Sequence, residues 1–311
     1  MHTHSLATWQ HSHDFAMLKA QGEKRTWQVL IITAITMLFE IAAGITYGSM
    51  ALLADGWHMG THVAAFMITI FAYRFARKHA DNKAFAFGTG KVSVLGGFAS
   101  AIALIVVALI MLIESGQRLL APQQIHFNEA IGVAVLGLLV NILCAFLLQG
   151  NHDHGHDESS HSPHHDHNLK AAYLHVLADA LTSLLAIAAL ICGKYLGWNW
   201  LDPLMGIVGA VVISHWAYGL LRETGNILLD GSMHPKELAA IKEKIETTLD
   251  NRIADMHVWK VGPAQYAAII SIVTHYPQKI DYYKKLLGAF PTLSHLTIEI
   301  HTCEEEPCLP L

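Results

Sequence analysis

The residues best suited to chemistry lie in two otherwise apolar stretches. The first reads A-D-G-W-H-M-G-T-H and carries Asp55, His58 and His62; the second reads H-V-L-A-D and carries His175 and Asp179. In each, two ligand-type side chains stand four apart, which on a helix puts both on one face, one turn from each other. Two such faces turned together supply three imidazoles and one carboxylate, a four-ligand set for a divalent metal of borderline softness. The plain alternative is that these groups only hydrogen-bond helices together. Ionisable groups inside membrane spans are costly and mark functional sites by default, and four of them in two spans call for more than stitching.

Two enzymatic readings fail on single residues. A membrane metalloprotease would need H-E-x-x-H, but the segment is His58-Met59-Gly60-Thr61-His62, and Met59 cannot act as a base. Phe87-Gly88-Thr89-Gly90-Lys91 lacks the first Gly of a phosphate loop and has Val92 where Ser or Thr is required. The sequence is therefore read as a non-enzyme without a prosthetic group.

The elements that must carry these residues follow from composition. Of 311 residues 53% are hydrophobic and 14% charged, against about 25% charged in an ordinary soluble domain. This excludes a disordered chain. A net charge of −5 leaves no electrostatic case for nucleic acid, and 4 Cys do not make a disulfide scaffold. Six stretches of the length a bilayer requires run from Val29 to Tyr47, Met50 to Phe71, Val92 to Ile113, Ala130 to Leu148, Leu169 to Leu190 and Leu204 to Leu221. Lys19, Lys24, Arg25, Arg74, Arg77, Lys78, Lys83, Lys91, Lys170 and Arg222 fall on one side, and Arg118 and Lys194 on the other. The positive-inside rule then puts both termini in the cytoplasm.

The expected organisation is a cytoplasmic His-containing head over 1–28, a six-span transmembrane domain over 29–225, and a cytoplasmic domain over 226–311. In the last, Pro235 opens a helix whose face is Leu238, Ile241, Ile245 and Leu249. Strands follow at Met256 to Val261 and Tyr266 to Thr274, then a helix from Lys279 to Ala289 and a strand at His295 to His301. The fold class is an all-α six-helix bundle plus a small α+β domain.

These motifs carry a resemblance. S-M-A-L-L-A-D-G-W-H-M-G-T-H, H-V-L-A-D-A-L-T-S, L-D-P-L, L-R-E-T-G-N-I-L-L-D and M-H-V-W resemble the cation diffusion facilitator family over nearly the whole chain. The resemblance implies a homodimeric, proton-coupled exporter of divalent transition metals with a ferredoxin-like cytoplasmic domain, in the plasma (inner) membrane. By position it implies a transport site of His58, His62, His175 and Asp179. The zinc-exporting pattern is HxxxD in both spans; here span two is HxxxH, most similar to the DmeF-type branch associated with cobalt and nickel. After span two Asp81 is kept, but Phe85 and Thr89 stand where relatives have His, so no metal site is assigned to that loop.

Histidine is abundant elsewhere, 22 in all. His152, His154, His156, His161, His164, His165 and His167 crowd the loop 151–168, read as mobile, loose metal capture at the cytoplasmic entrance. His2, His4, His11 and His13 of the head add to it, and His301 and Cys303 form a weaker candidate site in the tail. Binding to neutral imidazoles and an ionised Asp179 displaces protons, and imidazole titrates near ~6.5, so metal and proton can compete at one site. The set suits Co²⁺, Ni²⁺, Zn²⁺ and Fe²⁺. A zinc-specific exporter and a membrane-anchored metal buffer or sensor are the alternatives; a buffer has no use for the intramembrane quartet.

Overall fold

The computed structural model describes residues 23–79, 82–149, 164–262 and 264–304; for 23–29, 145–149 and 164–179, and for His62, Phe66, Thr69 and Tyr73, it describes only the helical path. Six long helices come first: α1 (Glu23–Tyr47), α2 (Met50–Lys78), α3 (Val92–Leu120), α4 (Phe127–Gln149), α5 (His164–Leu196) and α6 (Leu201–Leu228). Among the described residues α1, α2, α3, α4 and α6 are long and apolar enough to span a bilayer, and α5 contributes the apolar stretch Ala180–Leu196. Ile35, Leu38, Ile45, Val106, Ile113, Leu139 and Val211 are exposed. Such apolar surface is stable against lipid, and the chain is a multi-pass integral membrane protein.

The chain forms two compact units, one within residues 19–70 and 99–221, the other within 71–98 and 222–311. In the first, α2 is the hub. Its Met50, Leu53 and Ala54 pack with Ala108 and Met111 of α3 and Ala210 and Ile213 of α6. Its Leu52 packs with Ala43 of α1, Ala130 and Ala134 of α4, and Ile187 and Leu190 of α5. Small residues permit this, as is usual in lipid: a methyl on Gly209 of α6 would stand 2.7 Å from the Ala54 Cβ.

The start of α2 is pinned by charge. Asp202, in the first turn of α6 and 2% exposed, accepts from the Ser49 hydroxyl at 2.6 Å, the Met50 amide at 2.8 Å and the Ala51 amide at 3.1 Å. Helix N-termini leave such amides without intrahelical partners, so the carboxylate takes the role of a cap. Arg118 of α3 donates to the Gly48 carbonyl at 2.6 Å and to Glu114 at 2.5 Å. Gly48 itself sits at φ +73, where a side chain would also run into the Gln124 carbonyl.

The second unit holds α7 (Pro235–Glu246), β1 (Arg252–Lys260), β2 (Tyr266–Thr274), α8 (Ile280–Leu287) and β3 (Leu293–Thr302). The sheet order is β1-β2-β3, with β1 antiparallel and β3 parallel to β2. Ile241 and Ile245 of α7 and Tyr283 and Leu287 of α8 cover Val258, Ile270, Ile272 and Ile298, which is the small α+β layer expected. Leu249 departs from expectation: α7 ends at Glu246, and Leu249 sits exposed at φ +54. Buried Asn251 is the reason. Its amide donates to the Thr248 carbonyl at 2.6 Å, and its oxygen accepts from the Tyr283 hydroxyl at 3.0 Å, which stops the helix and starts β1 at Arg252 rather than Met256.

The α2–α3 connection belongs to this unit. Phe87 lies edge-on to Trp259 at 5.7 Å and to His295 at 5.5 Å, and Lys91 pairs with Asp230. Phe87, which occupies the loop to which no metal site was assigned, is thus a packing residue.

Asp250 ties the start of β1 to the end of β2. It accepts from the Thr274 hydroxyl at 2.5 Å, the His275 amide at 3.0 Å and the His275 Nδ1 at 2.6 Å. Burial alone raises its carboxyl, but these hydrogen bonds and the imidazole outweigh it and hold it at about 2. A folded-state value below the unfolded ~3.9 stabilises the fold above pH ~3.9, and that contribution is lost as pH falls through about 2. Asp250→Asn is expected to cost about 1–3 kcal/mol. It should speed hydrogen exchange in β1 and β2 of the full-length protein at neutral pH; exchange rates equal to wild type would contradict the role given to the carboxylate.

Candidate metal centre between α2 and α5

The local order is dictated by helix periodicity. Asp55, His58 and His62 follow one face of α2, and His175, Asp179 and Ser183 follow one face of α5, at spacings of three and four. One contact fixes how the faces meet. Asp55, 4% exposed, accepts from the Ser183 hydroxyl at 3.0 Å through Oδ1 and at 2.7 Å through Oδ2.

That contact sets a register. With every helix crossing the bilayer, α2 and α5 run antiparallel, and each rises about 1.5 Å per residue. Moving away from the Asp55–Ser183 level, His58 lies about 4.5 Å along α2 and Asp179 about 6 Å along α5. His62 and His175 lie about 10.5 and about 12 Å along. Backbone positions of His58 and Asp179, and of His62 and His175, therefore share a depth to within about 1.5 Å. The side chains of His62, His175 and Asp179 are outside the described residues.

His58 is half-buried and, with Asp55, lines a cavity of about 40 Å³ closed by Thr182, Ala186, Met205 and Gly209 of α5 and α6. This is room for a water or two. The cavity extends from His58 toward the α1–α2 turn, the end opposite the loop between α4 and α5. On the far side of α2, Glu40 of α1 is fully buried.

The other candidates are placed as follows. His152, His154, His156 and His161, with the histidines of the head, lie outside the described residues, as does Asp81. His164, His165 and His167 stand in the first turn of α5 rather than in a loop reaching to 168. Pro163 precedes them and no Gly or Pro follows before Gly193, so nothing breaks the helix in between. His301 is exposed on β3, and Cys303 is half-buried just beyond it, its amide donating to the Thr274 carbonyl at 3.0 Å. Among the described residues no three His, Cys, Asp or Glu side chains come together as a metal site. Ser183 and Asp202 were not singled out from sequence. The signal for Ser183 was present: it continues the His175–Asp179 face by one more turn.

The family model for the cation efflux transmembrane domain matches residues 27–229. The zinc transporter ZitB of Escherichia coli (strain K12) is 31% identical, with 96% of this chain and 93% of that protein aligned. The cadmium, cobalt and zinc/H(+)-K(+) antiporter of Bacillus subtilis (strain 168) is 29% identical, over 88% of this chain and 89% of its own length. The cation efflux system protein CzcD of Alcaligenes sp. (strain CT14) is 28% identical, over 95% and 91%.

Removing the register contact should weaken the site without removing a ligand. Ser183→Ala leaves Asp55 without that donor and is expected to lower metal affinity by about 10-fold or more, the usual effect of losing a group that orients ligands. Metal titration of the purified variant checks this; wild-type affinity would show that Asp55 and Ser183 do not orient the site.

Proposed function

The chain belongs to the cation efflux family, and from that premise we propose that it exports a divalent transition metal from the cytoplasm in exchange for protons, through a site of His58, His62, His175 and Asp179. The observation that carries this reading is the Asp55–Ser183 hydrogen bond, whose register brings the two four-spaced pairs to common depths. Neutral imidazoles and an ionised Asp179 take the metal, and protonation of the same groups releases it. Rocking of helices about a fixed site changes which side has access. The cycle moves ions and protons and converts no substrate into another compound, which reads as a transporter rather than an enzyme.

Family membership favours the plasma (inner) membrane, and the bias of Lys and Arg favours an orientation with both termini and the His-rich segment cytoplasmic. The segment from His152 to His167 raises the local metal concentration at the entrance. A homodimer is the working form, since a C-terminal layer this thin gains from a partner. The cargo includes cobalt and nickel beside zinc. The names of the relatives above mention zinc, cadmium and cobalt; His62 argues for nickel as well. Three nitrogens and one oxygen that can recruit water suit metals favouring more than four ligands.

Asp179→Ala should abolish metal flux in reconstituted vesicles, because it removes the only carboxylate of the quartet while the protein still inserts. Flux at the wild-type rate would refute the site. His62→Asp should shift competitive uptake modestly toward zinc, which accepts a tetrahedral mixed set. An unchanged cobalt:nickel:zinc ratio in an active variant would mean that selectivity is set elsewhere.

A further inference from the structure

Glu40 is a buried acid that neither the metal site nor the packing of α1 explains. It is 0% exposed, and neither carboxyl oxygen has a hydrogen-bond partner among the described residues. Its niche is made by glycines. A methyl on Gly137 of α4 would collide with Oε1, and one on Gly56 of α2 would stand 3.2 Å from the Glu40 Cβ. Any larger residue at Gly137 would exclude the carboxyl, so the fold leaves space for this group specifically.

On α2 the nearest ionisable residue in the chain to Gly56, which faces Glu40, is Asp55. On α4 the ionisable Glu129 and Cys144 lie about two turns to either side of Gly137, and on α1 Tyr47 lies about two turns away. Asp55 already accepts from Ser183; among the described residues Glu40 has no such donor. A carboxyl this deeply buried, with no hydrogen-bond partner among the described residues, is costly to charge and is kept neutral by a proton.

We propose that Glu40 is a proton-carrying residue of the export cycle, distinct from the metal ligands. It takes a proton from water at the α1–α2 end of the bundle and holds it while buried as here. When the helices shift, its O–H bond breaks and the proton passes to water on the other side; no electrons are exchanged. The charge left on Glu40 acts through Asp55 on the α2–α5 register, which couples the proton to the metal site three residues away on α2. This rests on the proton-exchange reading above.

The test uses the full-length protein in sealed vesicles with membrane potential clamped. Two fluxes are measured, metal uptake driven by an imposed pH gradient and metal–metal exchange at equal pH, for wild type, Glu40→Gln and Glu40→Asp. Glu40→Gln is expected to keep metal binding and metal–metal exchange within about twofold, while losing most of the roughly tenfold drive per proton that one pH unit supplies. Glu40→Asp, which keeps an acid on a shorter arm, is expected to regain gradient-driven uptake with a displaced pH profile. Gradient-driven uptake retained by Glu40→Gln overturns the proposal. So does loss of metal binding together with both fluxes in a folded Glu40→Gln, which would make Glu40 part of the metal path. Should Glu40→Gln fail to insert, Glu40→Asp decides, and a pH profile superimposable on wild type overturns the proposal. A wild type indifferent to the gradient instead defeats proton coupling itself, and is told apart because no variant is involved.

Discussion

Ser183 donating to both oxygens of Asp55 is the contact on which the candidate site depends. Helices in lipid lack a hydrophobic force to choose their register, because the surrounding tails are as apolar as their own side chains. Register must come from close packing and from polar groups that have no water to fall back on. A slip of one turn on α5, about 5.4 Å, would part Ser183 from Asp55 and leave at most one of Asp179 and His175 level with a histidine of α2. One buried hydrogen bond and two helical periodicities thus determine where four ligand-type residues stand.

Around that contact the bundle is arranged to hold α2 still. Its first-turn amides are taken by Asp202, its leading turn by Arg118, and its two sides by small residues of α3 and α6 and of α1, α4 and α5. Glu40, fully buried beside Gly56 of α2 and Gly137 of α4, makes none of the contacts of this clamp. The same helix thus carries Gly56, against the buried Glu40, and the half-buried His58.

Much of this was legible in the sequence because it depends on local pattern. Apolar length gave the spans, and four-residue spacing identified the faces of α2 and α5. Alternation at Leu296, Ile298 and Ile300 gave β3. What escaped were contacts joining residues far apart in the chain. Asp202 is 151 to 153 residues from the groups it caps, and no local pattern marks an aspartate as a cap for another helix. The end of α7 was missed because Leu249 fits the apolar period, while Asn251 and Tyr283, which close the helix, act through tertiary contact. The start of α5 was set too late because a run of histidines was read as loop from composition, although nothing in it breaks a helix.

The central claim is that α2 and α5 together hold one metal at the level of His58, His62, His175 and Asp179. Its most direct test is the ligand-field spectrum of Co²⁺ bound to the purified full transmembrane protein from which residues 151–163 have been removed and in which His164, His165 and His167 are replaced with Ala, so that the His-rich segment cannot contribute. One Co²⁺ per chain with a nitrogen-rich spectrum is predicted, lost on replacing any one of the four residues with Ala. A spectrum that survives each of the four replacements unchanged would place the metal elsewhere and contradict the account.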